Sequence, residues 1–254
     1  MSAAPSFRSR LLAGEWIPGT FVNLGSALTA EIAGRSGFDW VLLDHEHGPG
    51  GDETILHQLQ AVGGTPAVPI VRIAANETVR FKRVLDMGAA GVMVPYVNTA
   101  EEAKAAVSAM RYPPRGVRGV SKSNRAARFG LDFEDYYAHS HERLVTMAQI
   151  ETPEAVANAE AIAAVEGIDV LFVGPVDLST HYGAPGNFDE PRFAEARRQV
   201  AAACKRQRKA AGMLLLAASH IPIARAEGYT VVTFGSDGGA VTNGLRQCAA
   251  SLRA

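Results

Sequence analysis

The stretch 144-LVTMAQIETPEAVANAEAIAAVEGIDVLFVGPVD-177 contains one complete strand–helix–strand unit. Residues 144–150 and 170–174 are almost continuously apolar, which is typical of parallel strands that are covered on both faces. Between them, residues 152–154 (Thr-Pro-Glu) combine a helix cap, a proline suited to the first turn and an early negative charge. The stretch therefore predicts two parallel strands joined by a helix.

The same alternation extends through the rest of the chain. Six further apolar runs cover residues 21–25, 40–44, 68–73, 91–95, 213–217 and 230–234. Eight strand-like runs separated by helical segments predict a (β/α)8 TIM barrel, and residues 1–254 match the usual length of one such domain. A doubly wound open sheet is the main alternative, but the first run is not followed by the G-x-G-x-x-G turn of a dinucleotide-binding fold.

The composition limits the possible partners of the protein. With 47% hydrophobic residues and a net charge of -1, the chain is neither disordered nor a general nucleic-acid binder. No apolar run approaches the roughly 18 residues of a membrane helix, and the polar residues 1–10 lack the apolar core of an export signal. We therefore expect a cytoplasmic protein in which Cys204 and Cys248 are reduced, without a nucleic-acid or membrane partner.

Ionisable residues follow four of the predicted strands. These strands end in Asp44-His45-Glu46-His47, in Arg72, in Gln149-Ile150-Glu151 and in Gly174-Pro175-Val176-Asp177. Catalytic groups of a TIM barrel lie at the carboxyl ends of the strands. The sequence thus predicts an active site at this rim.

Glu151 and Asp177 are the candidate metal ligands. They are 26 positions apart, which is one strand–helix unit, so they should lie on neighbouring strands. A site with two carboxylate ligands suits Mg²⁺ or Mn²⁺, whose remaining coordination positions are filled by water and substrate. Alternatively, Glu151 merely caps the next helix, which Thr152 and Pro153 start; its pairing with Asp177 favours the metal.

His47 and Arg72 each have a structural and a catalytic interpretation. His47 is either a hydrogen-bonded packing residue or a base whose imidazole Asp44 and Glu46 orient. Arg72 is either part of a rim salt bridge or an anion-binding group, since a buried arginine is costly when it is unpaired. Alternation puts His45 on the same side as His47, and whether both face the site stays open at this stage.

Two loops also carry possible binding groups. Residues 111–130 hold six basic side chains and no acidic one: Arg111, Arg115, Arg118, Lys122, Arg125 and Arg128. This segment is either a solvated or subunit-packing loop, or it attracts an anionic substrate. In residues 235–239 (Gly-Ser-Asp-Gly-Gly), the glycines favour a tight turn over a phosphate site.

Several ordered motifs resemble those of the HpcH/HpaI aldolases, which are metal-dependent class II pyruvate aldolases of the 4-hydroxy-2-oxoheptanedioate or 2-dehydro-3-deoxyglucarate aldolase type. The motifs occupy residues 38–40, 44–49, 69–72, 85–89, 94–95, 112–119, 149–152 and 172–179. The resemblance implies a barrel of the phosphoenolpyruvate/pyruvate type, usually a hexamer. It also implies reversible cleavage of a 4-hydroxy-2-oxo acid to pyruvate and an aldehyde, with Mg²⁺, Mn²⁺ or Co²⁺ stabilising the enolate of pyruvate.

The resemblance also implies a role for each site residue. Glu151 and Asp177 would bind the metal, with Gln149 close to its water shell. His47 would be the base, acting through a water on the metal and helped by Asp86 of a neighbouring subunit. The remaining implied roles concern pyruvate, whose keto oxygen would bond to Arg72 and whose carboxylate would lie on the backbone of Gly174, Pro175, Val176 and Asp177.

The chain departs from the family pattern at His45, at residues 120–124 and at residues 235–239. The first two departures bear on which aldehyde is accepted, and none removes a metal ligand or the base. Two alternatives remain at this stage. One is an acyl-CoA lyase or a 2-oxo acid decarboxylase on the same barrel, and the other is a non-catalytic barrel that binds a metabolite.

Overall fold

A closed barrel of eight parallel strands forms the centre of the molecule. The computed structural model describes residues 5–253, so residues 1–4 of the predicted polar N-terminus lie outside it. Each strand pairs with the next, and the last pairs with the first. The strands are β1 (Ile17–Val22), β2 (Trp40–Asp44), β3 (Val68–Arg72), β4 (Gly91–Val94), β5 (Val145–Ile150), β6 (Val170–Val173), β7 (Ala210–Leu215) and β8 (Tyr229–Ser236). The (β/α)8 prediction is confirmed, and the open sheet is wrong.

Helices connect the strands. They are α1 (Phe7–Leu12), α2 (Ala27–Arg35), α3 (Asp52–Val62), α4 (Thr78–Asp86), α5 (Ala100–Met110), α6 (Phe133–Arg143), α7 (Pro153–Ala157), α8 (Ala159–Ala163), α9 (Pro175–His181), α10 (Pro191–Gln207), α11 (His220–Glu227) and α12 (Asp237–Ser251). As predicted, Thr152 caps α7, and its side chain accepts a hydrogen bond from the Ala155 N–H. Within residues 5–253, no helix has both the length and the apolar character required to cross a bilayer.

The interior of the barrel is packed rather than hollow. Alternate residues of each strand point inward, and Trp40 and Phe172 meet there edge to face with ring centroids 6.2 Å apart. The intervening residues, such as Leu43 and Val173, pack under the helices. Because side chains fill the barrel, polar chemistry is confined to its ends.

Two strands begin earlier than the apolar runs predicted. β1 covers Ile17–Val22 rather than residues 21–25, because Pro18 and Gly19 interrupt the apolar pattern at its start. β7 covers Ala210–Leu215 rather than residues 213–217, because its first residues are alanine and glycine. Residues 23–25 and 216–217 are therefore loop residues at the rim.

Candidate active site

A cleft of about 670 Å³ opens at the carboxyl ends of the strands. It brings together most of the predicted site residues: Asp44, His47, Arg72, Gln149, Gly174, Pro175, Val176 and Asp177 all line it. These residues follow β2, β3, β5 and β6, so the prediction that polar groups collect at one rim is confirmed.

Arg72 is held by two carboxylates at the floor of the cleft. The register of β2 and β3 places Asp44 beside Arg72, whose Nε and Nη2 donate to Asp44 Oδ1 and Oδ2 at 3.0 and 2.8 Å. Glu46 Oε2 lies 3.1 Å from Arg72 Nη1. Burial opposes the ionisation of Asp44, but the hydrogen bonds and charge of Arg72 outweigh this effect and lower the pKa of Asp44.

Of the two carboxylates expected to orient the His47 imidazole, Asp44 makes no hydrogen bond to the ring within the described residues, whereas Glu46 lies beside it. Besides Arg72, the Asp44 carboxylate accepts hydrogen bonds from the backbone N–H groups of Glu46 and His47, at 3.1 and 3.2 Å. The His47 side chain is 69% exposed at the mouth of the cleft, with Nε2 3.8 Å from Glu46 Oε2. His45 turns away from the cleft, and its Nε2 lies 3.9 Å from Asp52 Oδ1 on α3.

Glu151 is buried directly beneath the cleft. Its Oε1 accepts the Tyr96 N–H at 2.8 Å, and its Oε2 accepts the side-chain amide of Gln149. Burial raises the pKa of Glu151 to about 7; these hydrogen bonds oppose the rise, and the charge of Asp177 adds to it. Gly174 permits this arrangement, because a Cβ there would lie 2.8 Å from Glu151 Oε2.

The residues around Glu151 fit a divalent cation. β5 and β6 are neighbours as predicted, and Asp177 lies in the first turn of α9, directly after β6. Gln149 Oε1 is buried without a hydrogen-bond donor from residues 5–253. In the same range, no three His, Cys, Asp or Glu side chains are arranged to enclose a metal. Glu151 and Asp177 would therefore supply two ligands, and water and substrate would supply the others.

Asp86 lies outside this cleft. It is the last residue of α4, and its Oδ1 accepts hydrogen bonds from Arg118 Nη2 at 2.7 Å and from Asn124 Nδ2 at 3.2 Å. Arg118 is completely buried between Tyr112 and Tyr136. None of residues 111–130 lines the cleft, so this loop is not placed to attract a substrate into the cleft of its own chain.

Sequence reasoning missed two contributors to the site, Tyr96 and Asn23, and one ion pair, that of Glu46 with Arg72. Glu46 pairs with Arg72, and its position two residues after Asp44 was a usable signal because both side chains then lie on the same face of the strand end. Tyr96 adopts a left-handed backbone conformation, with φ of 49°, and its N–H points to Glu151. Asn23 lines the cleft from the loop after β1, which the displaced strand prediction concealed.

Comparison with known proteins establishes the family. The sequence profile described as HpcH/HpaI aldolase/citrate lyase matches residues 18–244. The chain belongs to the HpcH/HpaI aldolase/citrate lyase family. The 5-keto-4-deoxy-D-glucarate aldolase of Salmonella paratyphi C is 41% identical to this family member over 92% of the chain and 91% of its own length.

Solved structures agree with this assignment. A family protein from Burkholderia cenocepacia J2315 has a TM-score of 0.92 and 33% identity, covering 97% of this chain and 98% of its own. The HpcH/HpaI aldolase from Desulfitobacterium hafniense DCB-2 has a TM-score of 0.90 and 28% identity, covering 98% and 97%. Because its relatives are aldolases, this family member is a carbon–carbon lyase. The alternative of a non-catalytic barrel is therefore wrong.

Replacing Asp44 with alanine should destabilise the protein, because Asp44→Ala removes the bidentate partner of a buried guanidinium. We expect a loss of about 3 kcal/mol in the free energy of unfolding, measured by urea denaturation. Glu195→Ala is the control; it breaks an exposed ion pair with Arg198 and should cost less than about 1 kcal/mol. Equal small losses in both variants would show that Arg72 does not depend on Asp44.

Proposed function

We propose that the protein is a divalent-metal-dependent pyruvate aldolase that reversibly cleaves a 4-hydroxy-2-oxo acid into pyruvate and an aldehyde. The observation that carries this proposal is that Arg72 pairs with Asp44 and Glu46 and interacts with the charge of the buried Glu151, in a cleft also lined by Asp177. The substrate named for the Salmonella relative has the same order of groups: a carboxylate, a keto group, a deoxy carbon and a hydroxyl carbon.

Aldol cleavage leaves the electron pair of the broken carbon–carbon bond next to the keto group. A divalent cation held by Glu151 and Asp177 would supply Lewis acidity at the keto oxygen and carboxylate of pyruvate. Arg72 contributes a second positive group. Three of its five N–H groups face Asp44 and Glu46, which leaves two for the keto oxygen. Loss of one such donor typically costs about 3 kcal/mol of transition-state stabilisation.

His47 would take the proton from the substrate hydroxyl. Its imidazole stands at the mouth of the cleft, whereas Arg72 and Gln149 lie deeper, so it is on the side where the aldehyde half extends. Asp86 of a neighbouring subunit would orient this imidazole in a hexamer, since Asp86 does not line the cleft of its own chain. The carboxylate of pyruvate would lie against the backbone of residues 174–177.

Removal of divalent metal should abolish turnover, and Mg²⁺ or Mn²⁺ should restore it. Glu151→Gln and Asp177→Asn should each weaken Mn²⁺ binding more than about tenfold, measured by electron paramagnetic resonance titration, since each removes an anionic ligand. Glu53→Gln, which alters an exposed carboxylate of α3, is the control. Full activity in excess chelator would contradict the proposed metal.

His47→Ala should slow aldol cleavage by ~10²–10⁴-fold, because the hydroxyl proton then lacks its base. Exchange of the methyl protons of pyruvate, followed by NMR in D₂O, should fall much less. His45→Ala is the control, because it removes a neighbouring imidazole that does not face the cleft. If His47→Ala reduces both reactions equally, the imidazole acts on pyruvate itself.

The proposed role of Asp86 predicts complementation between two inactive variants. A site built from two subunits should regain activity when His47→Ala and Asp86→Asn proteins are unfolded together and refolded as a mixture, since some sites then receive both native residues. Each variant refolded alone is the control. Absence of recovered cleavage in mixed oligomers, verified by differently tagged chains, would place Asp86 outside the reaction.

A further inference from the structure

The cleft has two chemically different ends. The end described above contains Arg72 and the carboxylates around it. The opposite wall is built by the ends of β1, β7 and β8 and by the start of α12, and its apolar side chains include Phe21, Leu214 and Phe234. The polar side chains of this wall, Asn23, Ser236 and Asn243, are all uncharged.

Asn23 is held firmly in this wall. Its backbone N–H donates to Asp237 Oδ1 at 2.8 Å, and the hydroxyl of Thr29 donates to Oδ2 of the same carboxylate at 2.6 Å. These bonds fix the loop after β1 against the first turn of α12. A Cβ at Gly238 would lie 2.8 Å from Asn23 Oδ1, so the amide is confined between that turn and the cleft.

The position of Asn23 is next to the residues that follow β2. A Cβ at Gly48 would lie 3.6 Å from the Asn23 carbonyl oxygen, and Gly48 directly follows His47. The loop that carries Asn23 therefore lies close to the residues that follow β2, among them His47, which also lines the cleft. A substrate whose keto end is at Arg72 would extend its aldehyde half toward Asn23.

The side-chain amides of Asn23 and Asn243 are free to bind a ligand. Within the part of the chain that the structure describes, neither amide makes a hydrogen bond to the protein. An asparagine amide can both donate and accept hydrogen bonds, so it can satisfy a hydroxyl group in either role. Asn243 is exposed to solvent, whereas Asn23 is half-buried, so it is the unpaired amide of Asn23 that favours a ligand with a hydroxyl group at this position.

The charge of the cleft disfavours a second carboxylate on the aldehyde. Of the cleft-lining side chains in residues 5–253, only Arg72 carries a permanent positive charge, and Asp44 and Glu46 already pair with it. The cation proposed at Glu151 and Asp177 would offset the charge of those two carboxylates and would interact with the carboxylate of pyruvate, so no unpaired cationic side chain of the described residues lines the cleft to bind a second carboxylate. A neutral hydroxyl avoids the Coulombic cost that another anion would meet in this partly buried site.

We propose that Asn23, assisted by Asn243, binds a hydroxyl group of the aldehyde half, and that the protein selects short, neutral hydroxyaldehydes over acidic or purely alkyl aldehydes. This inference rests on the proposed aldolase function. It separates the protein from the Salmonella relative, whose named substrate carries a carboxylate at its far end.

The test measures kcat/KM for aldol addition of pyruvate to three aldehydes of equal carbon number: glyceraldehyde, propanal and 2-hydroxy-3-oxopropanoate. We expect glyceraldehyde to exceed each of the others by about tenfold or more, as expected for one or two satisfied hydrogen bonds. Asn23→Ala should reduce the ratio of glyceraldehyde to propanal by about tenfold. Asn187→Ala, in an exposed loop that does not line the cleft, is the control and should keep the ratio.

Two results would overturn the inference. Preference for 2-hydroxy-3-oxopropanoate would show that the wall binds a carboxylate, and an unchanged ratio in Asn23→Ala would remove Asn23 from aldehyde selection. Failure of the proposed function is distinguishable, because it would abolish addition to all three aldehydes in the wild-type protein, together with exchange of the methyl protons of pyruvate. Circular dichroism of Asn23→Ala verifies that the variant is folded.

Discussion

Arg72 and the carboxylates around it determine the character of the site. The guanidinium is buried, which by itself lowers its pKa, yet the hydrogen bonds that it donates to Asp44 and the charges of Asp44, Glu46 and Glu151 raise the pKa. Asp44 therefore has two functions, since it neutralises Arg72 and also fixes the turn that carries His47. Within residues 5–253, neither Glu151 nor Asp177 forms a salt bridge with a cationic side chain. This imbalance supports the proposed divalent cation.

The closed barrel makes this concentration of charge possible. Parallel strands in register bring Asp44 and Arg72 side by side and place Glu151 next to the end of β6. Packed residues such as Trp40 and Phe172 fill the interior below. The packed core therefore supports the charged groups at the rim from below. The loops above them carry charged side chains on one side of the cleft and uncharged side chains on the other. The uncharged wall around Asn23 belongs to these loops, which is where a barrel enzyme sets its choice of substrate.

Local patterns in the sequence predicted much of the fold and most of the site. The continuous apolar runs of β2, β5 and β6 identified buried parallel strands, and the cap of α7 was found where the sequence predicted it. The starts of β1 and β7 were missed because Pro18, Gly19 and the alanines of β7 weaken the apolar signal. That displacement concealed Asn23, because the sequence assigned Asn23 to a strand, whereas it lies in the loop that follows β1 at the rim.

The sequence by itself determined the barrel, the rim on which chemistry is possible, and the identity of Arg72, Glu151 and Asp177 as its main charged groups. Periodicity and motif spacing are properties of short segments, and they suffice for these conclusions. Only the tertiary structure decided that Asp44 binds Arg72 rather than His47, that His45 faces away, and that Asp86 lies outside the cleft of its own chain. These outcomes depend on which side chains meet across different strands and loops, and such long-range contacts are not encoded in any local pattern.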